Sequence, residues 1–113
     1  MKPLERLTPD QRPILRIVRM HFRDDCVANF VDAFADIQPQ VAAVPGCLGV
    51  MLLRDAADVS AVSTLSLWAN AEALAAYRNS ALFGEIWPNT KAQFKAPAVA
   101  ESYFWNPSLG FPS

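Results

Sequence analysis

Strand-like and helix-like segments alternate along this 113-residue chain in the order βαββαβ. β-Branched and bulky residues dominate four short segments, which predicts strands at 14–22, 47–54, 61–68 and 98–105. One helical region separates the first two strands, and another separates the last two. This order is the split β-α-β arrangement, so we predict an α+β, ferredoxin-like fold built on an antiparallel four-stranded sheet.

The helical regions carry signals for where each helix begins and ends. Asp24 or Asp25 is predicted to cap the first helix and to place negative charge at its positive end. Pro39 falls inside the apolar stripe of that helix, so we expect a kink or a break one turn before it. Asn70 and Ser80 are the predicted caps of two later helices. The residues predicted to share the core face of the last helix are Phe83, Ile86, Trp87, Thr90 and Phe94.

The predicted strands are apolar on both faces, although two helical regions can cover only one face of the sheet. In the second strand, alternation assigns Leu48 to the same side as Val50 and Leu52, and Met51 and Leu53 to the other. An uncovered face of this kind would exceed the few hundred Å² of apolar surface that soluble monomers expose. A second copy would bury roughly 800 Å² per partner. We therefore predict a homodimer that forms through the sheet face.

Composition supports self-association and argues against other classes of partner. Charged residues make up 19% of the chain, less than the roughly one quarter typical of a soluble domain. The net charge is −1 with no basic run, so nucleic acid is not an expected partner. No apolar run approaches the ~20 residues that span a bilayer, so no membrane association is expected.

The ends of the chain and its cysteines suggest where the protein works. Residues 1–13 are predicted to form an extended arm because they hold three prolines, followed by one domain over 14–105 and a tail over 106–113 whose Leu109 and Phe111 pack against it. The arm carries charges and prolines where a signal peptide needs an apolar block. A cytoplasmic location with reduced thiols is expected. Two cysteines and a single histidine cannot supply a conventional zinc site, so we expect no metal.

Several short motifs stand at matching places along the element order. They are RIVRMHF in the first strand, PGC before the second, a tryptophan at the end of the third, and then the spaced pattern EAL..Y..S..F...W. With these motifs, residues 14–105 resemble the antibiotic biosynthesis monooxygenase (ABM) family of dimeric α+β barrels. The resemblance implies two sheets packed into a barrel, with a cavity in each subunit between the helices and the sheet.

The resemblance also implies a class of chemistry. The best understood members oxidise phenolic, anthrone-like or quinol substrates with molecular oxygen and no bound cofactor, because a deprotonated aromatic ring is itself the electron donor. Others degrade haem or isomerise small metabolites. The leading interpretation is a cofactor-independent monooxygenase that acts on a small aromatic, phenolic or quinol-like compound. A non-catalytic small-molecule-binding or stress-response dimer of the same fold is the alternative, and a haem-binding or haem-degrading protein is the least favoured.

The family's site residues map onto this chain with some departures. The family tryptophan is Trp68. Members that tailor antibiotics place an asparagine four residues before it, where this chain has Thr64, and a tyrosine six residues after it, where this chain has Leu74. Tyr77 follows one helical turn later. Haem-degrading members carry a histidine about ten residues after the tryptophan, and that position is Arg78 here.

These positions define the candidate site. Thr64 and Tyr77 are the candidate hydrogen-bonding groups, and His21 is the candidate base because it is the one side chain that titrates near neutrality unaided. The candidate substrate-binding residues are Trp68, Ser66, Phe34, Phe83 and Trp87. A purely structural interpretation is also open for these residues. Trp68 could be a core residue at the corner between strand and helix, His21 an exposed histidine at a strand end, and the other aromatic residues part of the core. The arginines at 16, 19 and 78 are read either as solvated or interface residues or as an anchor for a substrate anion.

Overall fold

The computed structural model describes residues 6–106 and contains the predicted alternation of strands and helices. Its elements are β1 (Ile14–Phe22), α1 (Val27–Ala42), β2 (Cys47–Arg54), β3 (Ala61–Trp68), α2 (Ala71–Arg78), α3 (Ala81–Lys91) and β4 (Phe94–Phe104). The four strands form one antiparallel sheet in the order β2-β3-β1-β4. The predicted α+β, ferredoxin-like fold is confirmed.

The segment before β1 is not extended throughout. Pro9–Gln11 forms a short 3-10 helix, with Thr8 as its N-cap residue. Proline suits the first position of a helix because its fixed φ is already helical and its missing N–H would have no partner there. The predicted packing of Leu109 and Phe111 lies outside the described residues.

Two of the three predicted helix caps are confirmed. The Asn70 side chain accepts a hydrogen bond from the Ala73 amide at 2.8 Å, and the Ser80 hydroxyl accepts one from the Phe83 amide at 3.2 Å. These bonds fix the start of α2 and of α3, the helices that carry most of the aromatic residues of interest.

The predicted cap of α1 was wrong. Asp24 and Asp25 lie in a separate 3-10 turn, Asp24–Cys26, and α1 begins after Cys26 without a side-chain cap. Asp24 instead faces Lys95 at 3.5 Å, which joins this turn to β4.

The prolines interrupt the chain less than expected. α1 runs through Pro39 to Ala42, so the helix does not break there. β4 begins at Phe94 and includes Pro97, which is tolerated because β4 is an edge strand and its pairing with β1 shifts register near this point. Phe94 therefore belongs to a strand and not to the face of α3, although its ring still packs edge-on against Trp87 at 5.7 Å.

The link between α1 and β2 positions α2 over the sheet. Gly46 has φ of 82°, a conformation that disfavours any side chain. A Cβ on Gly46 would lie 2.5 Å from the Cβ of Ala73. The Gly46 carbonyl also accepts a hydrogen bond from the Ala69 amide at 2.8 Å. This close approach brings α2, and with it Tyr77, against the end of β3.

One sheet face is covered by helices and the other is open. The fully buried large side chains are those of Trp68, Phe22, Met20 and Val62, all on the covered face. On the open side, Met51 is 52% exposed and Val99 is 53% exposed. Leu48 does not share the side of Val50 and Leu52 as alternation predicts. It is exposed because the pairing of β2 with β3 shifts register between residues 47 and 49.

Candidate ligand cavity

A cavity of about 270 Å³ lies between the covered face of the sheet and the three helices. The sheet supplies its floor through side chains of β1 and β3, including Val18, Thr64 and Ser66. The helices supply its walls, including Phe34 from α1 and Phe83 and Trp87 from α3. All five residues that the sequence analysis named as candidate substrate-binding residues line this one cavity.

One wall of the cavity is a continuous series of aromatic rings. Trp68 stacks on Tyr77 with ring centroids 5.0 Å apart and planes 24° apart. Tyr77 meets Phe83 edge-on at 5.2 Å, and Phe83 stacks on Trp87 at 5.8 Å. Ring pairs in such arrangements contribute about 0.5–1.5 kcal/mol each beyond the area they bury. The segment from β3 to α3 thus forms a continuous aromatic wall along one side of the cavity.

Polar groups on β3 lie beside this wall. Trp68, Ser66 and Thr64 share the covered face because alternate residues of a strand point to the same side. The Trp68 indole nitrogen donates a hydrogen bond to the Ser66 hydroxyl at 2.9 Å, which fixes the ring. Within residues 6–106 no protein group pairs with the Thr64 hydroxyl, which lines the cavity and is available to a ligand.

Tyr77 lines the cavity with a partly buried phenol. Burial raises the pKa of this phenol above its ordinary value, and the neighbouring Cys47 raises it further. The group is therefore neutral at physiological pH and acts as a hydrogen-bond donor, not as a base. Leu74, one turn earlier, is buried and also lines the cavity.

Two arginines give the cavity a positive charge. Arg16 from β1 and Arg78 from the last turn of α2 both line it. The pKa of Arg16 is lowered because the side chain is partly buried and because the Arg78 charge is near. Arg16 donates a hydrogen bond to the Ser102 hydroxyl at 2.9 Å. In the described part of the chain neither guanidinium forms an ion pair with a carboxylate.

The structure does not bring His21 to the cavity. It lies on the opposite face of β1 from Val18 and Met20, with its Nδ1 atom 4.0 Å from a carboxylate oxygen of Asp58 in the β2–β3 loop. Its cross-strand partner is Ala61. Among the described residues that line the cavity there is no histidine, aspartate or glutamate. The candidate base is therefore in the wrong place for a ligand in this cavity.

Sequence analysis left the role of the arginines open and did not include them in the candidate site. Arg16 alternates with Ile14, Val18 and Met20, so its position in the strand places it on the covered face. A charged residue in such a series is rarely buried without a partner or a function. That signal was available from the sequence for Arg16, whereas the proximity of Arg78 depends on how α2 packs.

Two further properties concern only the described residues. None of the helices within 6–106 is long and apolar enough to cross a membrane. Over the same residues no group of three or more histidine, cysteine, aspartate or glutamate side chains is arranged to hold a metal ion.

The fold and the cavity define a ferredoxin-like α+β domain with an aromatic-lined site between helices and sheet. The family model for antibiotic biosynthesis monooxygenase matches residues 13–87, which is more than half of the chain. The chain belongs to this family. No curated protein matches the sequence at a significant level.

Solved structures with the same fold include proteins from distant organisms. A conserved protein from Methanosarcina mazei has a TM-score of 0.79 at 14% identity, with 87% of this chain and 97% of that chain covered. A Caulobacter crescentus protein, named provisionally as an antibiotic biosynthesis monooxygenase, has a TM-score of 0.78 at 23% identity over 85% and 92% of the two chains. A Nitrosomonas europaea protein with the same provisional name has a TM-score of 0.78 at 20% identity, with 92% of this chain and 100% of that chain covered. At these identities the likeness shows the fold alone.

Proposed function

We propose that the protein is a cofactor-independent monooxygenase that oxidises a small aromatic, phenolic or quinol-like compound in this cavity. The observation that carries the proposal is the aromatic wall from Trp68 to Trp87 beside two arginines that have no acidic partner in the described residues. The wall suits a planar ring, and the positive charge suits the anion of a phenol. Such an anion is the species that reacts with molecular oxygen.

The reaction balances without an external reductant. A ring CH₂ group of an anthrone-like substrate becomes C=O, one oxygen atom of O₂ enters the product, and the other leaves as water with the two hydrogens. The four electrons that reduce O₂ come from the substrate carbon. The protein supplies binding and stabilisation of the anion, and oxygen is a co-substrate with no cofactor required.

The residues in the cavity have separate tasks in this proposal. Arg16 and Arg78 lower the pKa of the bound phenol because an adjacent positive charge favours its ionised form. Tyr77 and Thr64 donate hydrogen bonds to the substrate oxygen as negative charge develops on it. The aromatic wall excludes water from the reacting carbon. Since no carboxylate or imidazole lines the described cavity, the phenol proton passes to solvent at the exposed end, near Arg78.

We also propose that a second copy of the chain covers the open sheet face. This face carries Met51 and Val99, each about half exposed. The cross-strand pairing also places Leu15 and Leu67 side by side on it. Burying about 800 Å² per partner is typical of a stable interface. Two sheets joined in this way close the barrel and leave one cavity in each subunit, on the side away from the interface.

A non-catalytic ligand-binding or stress-response dimer is the second candidate. The observation that favours it is the lack of a general base among the described lining residues, together with Thr64 in the place of the family asparagine. A hydroxyl has one donor and a shorter reach than an amide, so it stabilises an anion less well. A binding protein needs no general base, because the aromatic wall and the two arginines are enough to hold a ligand.

Oxygen consumption separates the two candidates. The purified protein is incubated in air with a panel of anthrones and naphthohydroquinones, and oxygen uptake is compared with a protein-free control. With ¹⁸O₂ the monooxygenase converts an anthrone into a quinone that carries one labelled oxygen, and the second label appears in water. Tyr77→Phe is expected to lower the rate by about tenfold or more, since one donor to the anion is lost. Tyr103→Phe, on the exposed edge strand, is the matched control and is expected to keep full rate. Uptake equal to the protein-free control across the panel favours the binding protein.

A further inference from the structure

We infer that the mouth of the cavity is an anion subsite formed by Arg16 and Arg78, and that the preferred ligand is an aromatic carboxylate. In this arrangement the ring lies against the aromatic wall and the carboxylate lies between the two guanidinium groups. The inference rests on the proposed function only in taking this cavity as the ligand site. It names the substrate class, whereas the proposed function names the reaction.

Unused hydrogen-bond donors on Arg16 are the first support. A guanidinium has five N–H donors in a planar fork. The described protein contacts of Arg16 use one of them, in the 2.9 Å bond to the Ser102 hydroxyl. That bond orients the guanidinium and leaves the other donors available. Arg16 is partly buried, so a charged ligand there would satisfy donors that the protein does not.

The nearness of two like charges is the second support. Arg78 is close enough to disfavour the charged form of Arg16. The described acidic residues do not relieve this repulsion, because none of them forms an ion pair with Arg16 or Arg78. Asp55, for example, pairs with Arg19 at 3.0 Å on the open face. A carboxylate between the two guanidiniums would offset the repulsion and accept charge-assisted hydrogen bonds from both.

The position of the subsite relative to the wall is the third support. Arg16 pairs with Ser66 across β1 and β3 and with Ser102 across β1 and β4, which makes one polar row across the covered sheet face. Ser66 holds the Trp68 indole. Arg16 is therefore the cross-strand neighbour of the residue that holds one end of the aromatic wall. A carboxylate attached directly to a ring system would place its charge beside Arg16 and its ring against the wall. A cavity of about 270 Å³ limits that system to one or two rings.

A neutral isostere gives the sharpest test. Isothermal titration calorimetry compares 2-naphthoate with 2-naphthamide, which has the same shape and no charge. We expect wild-type protein to bind the carboxylate about tenfold more tightly. Arg16→Gln is expected to abolish this preference. Arg78→Gln is expected to reduce it about threefold, since its more exposed charge is better screened. Circular dichroism checks that both variants are folded, and both should lose less affinity for 2-naphthamide than for 2-naphthoate.

Arg54→Gln is the matched control, because it removes the same charge from the exposed end of β2. It is expected to keep the wild-type preference. The inference is overturned by equal affinity of wild-type protein for the two probes, by binding of neither at millimolar concentration, or by an equal effect of all three substitutions. A carboxylate preference without oxygen uptake would support the anion subsite and contradict the monooxygenase activity. Oxygen uptake without a carboxylate preference would support the activity and contradict the subsite.

Discussion

The indole ring of Trp68 stacks on the phenol ring of Tyr77, with centroids 5.0 Å apart. One residue ends a strand and the other lies in the helix that follows, so the contact joins sheet and helix across a short connection. Trp68 is fully buried, whereas Tyr77 is partly buried and lines the cavity. The pair therefore belongs to both the core and the candidate site, because the buried ring supports a ring of the cavity wall.

Alkaline titration tests the environment of Tyr77. Its pKa is raised in the folded state, so the neutral form is favoured there. A raised pKa contributes stability that is fully present below the unfolded value, near 10, and is lost as pH rises through the folded value. We expect the free energy of unfolding of the wild type to fall more steeply above about pH 10 than that of Tyr77→Phe. Denaturant unfolding at a series of pH values measures this. Equal slopes would show that Tyr77 is not buried in solution.

The close approach at Gly46 should make this position intolerant of any side chain. Gly46→Ala adds a Cβ that overlaps the Cβ of Ala73 and forces a residue with a side chain into φ of 82°. We expect a loss of about 2 kcal/mol or more in the free energy of unfolding. Gly84→Ala is the control: it lies in α3 with open space around it, and it should stabilise the protein by up to about 1 kcal/mol. Similar effects at both positions would contradict the packing of α2 on the sheet.

The Asn70 side chain has two roles that substitution can separate. Its oxygen caps α2 through the Ala73 amide, and its nitrogen donates to the Asp10 carbonyl at 3.0 Å. Asn70→Ala loses both bonds and should cost about 1 kcal/mol or more in thermal or chemical unfolding. Asn70→Asp keeps the cap and loses only the bond to the arm, so it should cost less. An equal loss for the two variants would mean that the arm contact, and not the cap, carries the effect.

Acid should weaken the β2–β3 connection. The pKa of Asp55 is lowered by hydrogen bonds from the amides of Ala57 and Asp58, and further by Arg19. A lowered pKa contributes stability that is present above the unfolded value and is lost as pH falls through the folded value. We therefore expect Asp55→Asn to reduce the dependence of unfolding free energy on pH below about 4. Unchanged acid sensitivity in this variant would contradict the role of the Asp55 turn.

The open sheet face makes a prediction about assembly. Met51 lies opposite Leu65 on this face and is half exposed. Met51→Glu places a charge where a second copy would bury it without a partner, so the variant should be monomeric at micromolar concentration while the wild type sediments at twice the chain mass. Val59→Glu, in the exposed loop beside the sheet, should leave the dimer intact. A monomeric wild type would contradict the proposed interface.

Local signals explain which parts of the fold could be predicted from sequence. The bounds of β1, β2 and β3 and the caps at Asn70 and Ser80 depend on alternation and on short side-chain hydrogen bonds, and these were confirmed. The side predicted for Leu48 was wrong because one register shift reverses the side that alternation assigns. The helix predicted for Phe94 was wrong because apolar spacing continues past the end of α3 into β4. Residue periodicity indicates neither the register shift nor the end of the helix.

The candidate site was predictable to a similar extent. Thr64, Ser66 and Trp68 could be placed together because they alternate along one strand. His21 was proposed for its chemistry, although the same alternation puts it on the face away from Val18. The nearness of the Arg78 charge to Arg16 depends on how α2 packs on the sheet. The close approach of Gly46 and Ala73 helps to set that packing, and no local sequence pattern indicates it.

A crystal structure with 2-naphthoate bound would test the central claim most directly. We expect the naphthalene ring in the cavity, in van der Waals contact with Tyr77 and Phe83, and the carboxylate within hydrogen-bond distance of the Arg16 guanidinium. A ring bound on the open sheet face, or a carboxylate directed away from both arginines, would contradict the assignment of this cavity as the ligand site.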